Sequence, residues 1–179
     1  PDYVLQDMKI VLELPTHLSF PVIYEKDGQV YVMPENSKSG GINIYRYNAE
    51  KERLDLVHEV GHLPLTDATI VKFHSDEEFV FSTKLPNPNG NELEIYPFDG
   101  KFMKMEAKAL DTVSFPSNIA RNAGDAFYIG EQMYRPAQDC NKCYGNGINI
   151  QQVNSVGGKF ELKTVNEFHS DNPDYGLGY

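Results

Sequence analysis

The stretch QVYVMPENSKSGGINIYRY, residues 29–47, decides the fold. Two runs rich in Val, Ile and Tyr flank a Gly-bearing turn, a composition that favours two antiparallel strands. The second run, INIYRY (42–47), recurs as LEIYPF (93–98) and INIQQV (148–153), with starts 51 and 55 residues apart. The first, QVYVMPE (29–35), recurs as EFVFSTK (78–84) and EQMYRPAQ (131–138), at spacings of 49 and 53. A third run precedes each pair: LSFPVIYEKDG (18–28), ATIVKFHSD (68–76) and NAGDAFYIG (122–130). A fourth follows each: RLDLVHEV (53–60), KFMKMEAK (101–108) and KFELKTVNE (159–167). Four short strands repeating at roughly 50 residues are the signature of a β-propeller blade.

The spacing predicts an all-β chain with blades at about 17–60, 66–108 and 119–167. The segment 3–14 reads as the outer strand of a preceding blade, and HSDNPDYGLGY as the loop toward a following one. AEKERLDLVHEV fits a helical turn or two about as well as an outer strand. Residues 1–179 are thus expected to form one propeller domain or a fragment of it. Single-chain propellers close with about four to eight blades. The remaining blades are expected from the same, longer polypeptide or else from another chain.

The chain is 40% hydrophobic and carries 11 Tyr and 10 Phe but no Trp. Its net charge of −10 repels phosphate backbones, which argues against nucleic acid as a partner. Neutral sugars do not feel that field. No run approaches the roughly 20 apolar residues of a membrane-spanning helix, and the first residues lack a secretory pattern. A cytoplasmic location is the resulting expectation. Cys140 and Cys143 form a lone CxxC without further zinc-ligand spacing, so two loop thiols are expected and neither a metal nor a cofactor.

In a propeller the first strand of each blade lines the central channel, and the residues just before it gather at one mouth. Those positions are THLSFP (16–21), LTDATI (65–70) and IARNAGD (119–125); the second strands end in VMPE (32–35) and YRPAQD (134–139). His17, Ser19, Glu35, Asp67, Arg121, Asn122, Arg135, Gln138 and Asp139 are therefore candidates for one pocket. Glu35 and Asp67 make a carboxylate pair suited to acid–base work on a glycosidic bond. Gln138, Asp139 and the arginines suit sugar hydroxyls, and Tyr144 offers a flat face to a pyranose ring. Each also has a plain structural reading. Asp67 could bond its own turn, Glu35 could be a solvated turn carboxylate, and Arg121 and Arg135 could pair with Asp125 and Asp139.

Taken together, HLSFPVIYEKDGQVYVMPE, TDATIV, RNAG and YRPAQDCNKCYGNGINI resemble the propeller domain in the N-terminal part of plant glucosamine inositolphosphorylceramide transferases and of bacterial relatives. That domain is similar in turn to the five-bladed propellers of arabinanases, β-xylosidases, invertases and levansucrases. The resemblance implies a five-bladed ring of glycoside hydrolase type and a carbohydrate or glycolipid as partner. It implies one carboxylate on each of three blades, with Glu35 and Asp67 as two of them. The third blade offers Arg121 and Asn122 where an acid is wanted. Two functions follow: a carbohydrate-active propeller that binds and cleaves or transfers a glycosyl unit, or a non-catalytic module that recognises glycan for another domain.

Overall fold

The computed structural model describes residues 7–170. The first sheet runs β1 (Ser19–Lys26), β2 (Gln29–Glu35), β3 (Ile42–Asn48) and β4 (Arg53–Gly61), all antiparallel and in chain order. The second contains β5 (Leu65–Lys72), β6 (Glu78–Lys84), β7 (Glu92–Asp99) and the two-residue β8 (Lys104–Met105). The third contains β10 (Phe127–Ile129), β11 (Gln132–Asp139), β12 (Gly147–Val156) and β13 (Lys159–Phe168). An extra strand, β9 (Asp111–Ser114), pairs with β7 beyond β8. Three successive antiparallel meanders, of four, five and four strands, make this an all-β chain of propeller type. Among the described residues no helix is long and apolar enough to cross a membrane.

Two expectations need correction. Residues 7–14 carry no strand; a strand needs a ladder, and here Leu54 N–H donating to the Val11 carbonyl (2.8 Å) is a lone backbone bond. The rest of that expected strand, and most of HSDNPDYGLGY, lies outside the described residues. The run KFMKMEAK holds only β8, and its outer-strand role passes to β9. AEKERLDLVHEV is settled as strand β4.

Alternation of side chains explains how the sheets stack. On the second sheet Val80, Tyr96 and Phe98 face the first, packing with Val22, Met33, Ile42, Ile44 and Val60. Their neighbours Phe79, Phe81, Leu93 and Ile95 face the third, packing with Phe115, Ile119, Met133, Val153 and Phe160. The second sheet is therefore buried on both faces, and β5 exposes little beyond its last residue. Among the described residues no further sheet packs on the outer faces of the first and third sheets. On the first, an apolar cavity of about 330 Å³ is lined by residues including Val11, Leu18, Ile23, Val32 and Leu54.

Candidate functional site

Each first strand bends at the same place. In the first sheet Ser19 pairs with Glu35, then the register slips before Val22 pairs with Met33. In the second, Thr66 pairs with Thr83 and the register slips before Thr69 pairs with Phe81. The bulged residues Phe20 (φ 42°) and Asp67 (φ 48°) both take the left-handed region, which disfavours side chains. In the third sheet the bridge Asn122–Ala137 holds the matching place, followed by Ala123. Two bulges and one isolated bridge thus mark matching positions in the three sheets.

Asp67 is the centre of the cluster. Its side chain is 2% exposed, and its Oδ2 accepts from Arg121 Nε (2.6 Å) and Gln138 Nε2 (3.0 Å). Its backbone N–H donates to Glu35 Oε2 at 2.9 Å, which ties the two acidic residues together. Ser37 Oγ donates to the other oxygen of Glu35 (3.1 Å). Arg121 spans the pair, with Nη2 3.8 Å from Glu35 Oε2, and its Nη1 donates to Asn89 Oδ1 at 2.7 Å.

Burial pushes the Asp67 carboxyl up to about 6; Arg121 pulls it down, and Glu35 adds to the upward push. Burial also acts to raise Glu35, but hydrogen bonds from the Asp67 carboxyl and amide and from Ser37, with Arg121 nearby, outweigh it and hold Glu35 below the usual range. The pair is therefore asymmetric, with Asp67 shifted up and Glu35 down.

Beside the cluster lies a cleft of about 250 Å³ lined by Phe20, Ala123, Gln138, Tyr144, Gly145, Gly147 and Ile148. None of these side chains is charged. Tyr144 is 58% exposed and its ring lies under the Arg121 guanidinium, 4.9 Å from centroid to Cζ. Gln138 spends both amide hydrogens inward, on Asp67 Oδ2 and on the Asn122 carbonyl (2.8 Å). Its buried Oε1 has no partner among the described residues.

The structure thus brings Glu35, Asp67, Arg121, Asn122, Gln138 and Tyr144 together. It does not bring the others to the cleft. His17 is exposed ahead of β1, and Ser19 lines the apolar cavity on the outer face of the first sheet. Arg135 is 1% exposed and bonds only protein groups behind the cluster, so a sugar hydroxyl cannot reach it. Asn122 is 2% exposed and is likewise spent, on Asp67 O (2.7 Å) and Phe81 O (2.8 Å). Asp139 holds a loop: it accepts from Asn141 N (2.8 Å), Asn141 Nδ2 (2.8 Å) and Asn146 Nδ2 (3.1 Å), and pairs with His169 Nε2 (2.8 Å). Burial opposes its charge, yet those bonds, His169 first, keep Asp139 below the ordinary carboxylate range. Cys140 and Cys143 are free thiols on the same loop.

Phe20, Ser37 and Asn89 were not legible as site residues from composition. The one available signal was the alignment of Ser-Phe-Pro, Thr-Asp-Ala and Asn-Ala-Gly ahead of the three first strands, which places Phe20 at the Asp67 position. Arg135 had a signal too: Met133, Arg135 and Ala137 share the buried face of β11.

Residues 3–172 match the family model described as glucosamine inositolphosphorylceramide transferase 1, N-terminal. The glucosamine inositolphosphorylceramide transferase 1 of Arabidopsis thaliana is 29% identical over 164 residues, 89% of this chain and 21% of the relative. That of Oryza sativa subsp. japonica is 27% identical over 160 residues, 87% of this chain and 21% of the relative. The chain therefore spans about a fifth of the length of these curated relatives. Among solved structures, an exo-β-1,3-galactanase from Phanerochaete chrysosporium superposes with TM-score 0.59 at 14% identity, over 82% of this chain and 36% of that one. Bacteroides ovatus xyloglucan PUL GH43B superposes with TM-score 0.54 at 19% identity, over 83% and 29%. At such identities the likeness is one of fold, that of propeller-type glycoside hydrolases. By its sequence match the chain belongs to the glucosamine inositolphosphorylceramide transferase 1 N-terminal family.

Proposed function

We propose that this chain is a glycan-recognition module, which holds a neutral sugar in the cleft between Phe20 and Tyr144 without cleaving it. The observation that carries this reading is that protein groups already engage both acidic residues: Glu35 Oε2 accepts the Asp67 N–H, and the buried Asp67 Oδ2 accepts from Arg121 and Gln138. A glycosidase needs its two carboxyls about 5 to 9.5 Å apart, on either side of the scissile bond. Here Glu35 Oε2 lies 2.9 Å from the Asp67 backbone N, and Arg121 reaches both residues, 2.6 Å from Asp67 Oδ2 and 3.8 Å from Glu35 Oε2. Neither carboxyl lines the cleft. The cleft instead offers what sugar binding asks for: aromatic faces, glycine backbone and the polar side chain of Gln138. The names of the relatives make a glycolipid headgroup the natural partner, presented to another domain of the longer protein.

A five-bladed ring is part of the same proposal. The open faces of the first and third sheets carry exposed Ile23, Ile129, Val165 and Phe168, surfaces suited to further blades of the same polypeptide or of another chain. Such blades would deepen the cleft into a funnel and add the polar groups that fix a ligand's identity.

A glycan array followed by calorimetric titration with neutral oligosaccharides such as β-1,3-galactotriose tests the proposal. Binding without product on long incubation is the expected result, weakened about tenfold by Tyr144→Ala or Phe20→Ala. Release of reducing sugar that Asp67→Asn or Glu35→Gln abolishes would replace it with the alternative, a carbohydrate-active enzyme with these two carboxylates at work.

A further inference from the structure

The cluster around Asp67 rests on a second layer of polar groups that no ligand can touch. Arg135 sits at 1% exposure, and among the described residues no carboxylate pairs with it. Its guanidinium donates to Asn122 Oδ1 from Nη1 (2.6 Å), to Gln151 Oε1 from Nε (2.9 Å) and to the Ala120 carbonyl from Nη2 (2.7 Å). Burial draws its pKa down to about 9, so the fork still carries its proton at neutral pH. Gln151 is itself fully buried and donates to the Ile119 carbonyl (3.0 Å).

Placing a cation in such a site is costly, and a hydrophobic residue of similar size would often be as stable or more so. Plain stability is therefore a poor account of Arg135. What the fork does is fix one side chain. With Asn122 Oδ1 held by Arg135, its Nδ2 can point only the other way, where it donates to Asp67 O (2.7 Å) and Phe81 O (2.8 Å). Those two carbonyls lie on either side of the slip in the β5–β6 register. The amide of Asn122 stands in for the strand hydrogen bonds that the bulge removes, and so props Asp67 in its left-handed conformation.

We propose that Arg135 and Asn122 are positioning residues: the guanidinium orients the Asn122 amide, and that amide holds the Asp67 backbone so that its carboxyl stays buried between Glu35, Arg121 and Gln138. The inference deepens the proposed recognition site, and its test needs no ligand, so it stands or falls apart from glycan binding. The groups that face Asp67 are Glu35 from the end of β2, Arg121 and Asn122 from the segment before β10, and Gln138 from β11, with Cys140 and Tyr144 nearby.

The experiment is a carbon-13 NMR titration of the Asp67 carboxyl in the wild type, Asn122→Ala, Arg135→Lys and the double variant, with thermal melts alongside. Lysine keeps the charge but cannot reach Asn122, Gln151 and Ala120 together. Release of the bulge hydrates Asp67, so its midpoint should fall by about one pH unit or more in either single variant. The double variant should fall no further than Asn122→Ala alone, because Arg135 acts through Asn122. Lower melting temperatures with an unmoved Asp67 midpoint would reduce both residues to structural support and overturn the proposal. Additive shifts would overturn the relay. Where a variant does not fold, the wild type decides. The Asn122 side-chain amide and Arg135 Nε–H signals should follow the Asp67 midpoint, and signals that ignore it would refute the coupling.

Discussion

The first and second sheets carry the same bulge with opposite contents. At Phe20 a ring occupies the left-handed position, partly exposed and lining the cleft. At Asp67 a carboxyl occupies it, sealed from water and met by Arg121, Gln138 and Glu35. Both side chains sit in a conformation that costs about 1–2 kcal/mol relative to glycine. Only Asp67 is compensated by polar partners. The difference follows from position: the second sheet lies between two others, so whatever it presents at the mouth is surrounded, whereas the first sheet has a neighbour on one face. One backbone device repeated along the chain thus yields an apolar wall in one place and a buried carboxyl in the next.

The sharpest way to break this contrast is to remove the cation. Arg121→Ala leaves Asp67 and Glu35 without the group that balances their buried charge. Losing one partner of a buried ion pair costs about 3–5 kcal/mol. Denaturant unfolding near pH 8 should show a loss at the lower end of that range, since Arg121 keeps some solvent contact. The loss should shrink near pH 5, where Asp67 holds its proton. An equal loss at both pH values would mean that the arginine serves packing rather than charge.

Placing glycine at both bulges separates backbone strain from polar contact. Asp67→Gly relieves the left-handed strain but leaves Arg121 Nε and Gln138 Nε2 facing no acceptor, so a net loss of about 2 kcal/mol is expected. Phe20→Gly gains the same relief against lost ring contact and added chain entropy, and should change stability by less than about 1 kcal/mol. Equal effects at the two sites would show that the partners of Asp67 contribute little.

How far the sequence foretold these features can be judged strand by strand. The Val-, Ile- and Tyr-rich runs and their Gly-bearing turns are local, and they placed every strand but β8 and β9 within about five residues, while 111–114 was given no strand. The short β8 was misjudged because KFMKMEAK alternates apolar and polar residues like a strand, while β7 bonds β9 instead. Glu35, Asp67, Arg121 and Gln138 could be proposed together because propeller geometry turns strand starts toward a common mouth. The fates of Asn122 and Arg135 could not. Whether a polar side chain faces a cleft or a neighbouring sheet depends on register across sheets, and the bulges that set it have no sequence signature beyond a Phe and an Asp at matching offsets.

The two bulges also differ in how they respond to acid. The folded-state midpoint of Asp67, about 6, lies above its ordinary 3.8. Its contribution to stability is full below the unfolded value and is lost as pH rises through about 6. Glu35 has the reverse sign: lowered in the folded chain, it stabilises above its unfolded value, and that support fades as pH falls through the folded one. Phe20 titrates nothing. Stability measured from pH 4 to 7 should therefore contain a decline that Asp67→Asn abolishes and Phe20→Ala leaves in place. Persistence of the decline in Asp67→Asn would assign it to another group.

The smallest effect is expected at the rim that joins the two regions. Tyr144 touches the polar cluster through its ring under Arg121 and the apolar wall through the cleft it shares with Phe20. A cation–π contact at so exposed a site contributes about 0.5–1 kcal/mol. Tyr144→Ala should lower stability by no more than that, because the loop beneath is held by Asp139 and its asparagine partners rather than by the ring. Its effect on glycan affinity should be larger than its effect on stability, since a sugar stacked on the ring loses that face outright. Tyr144→Phe keeps the face and should bind as the wild type does. If the phenylalanine variant binds as weakly as alanine, the hydroxyl rather than the ring reads the ligand. Tyr144 would then belong with Gln138 among the hydrogen-bonding groups, and the apolar wall would reduce to Phe20 alone.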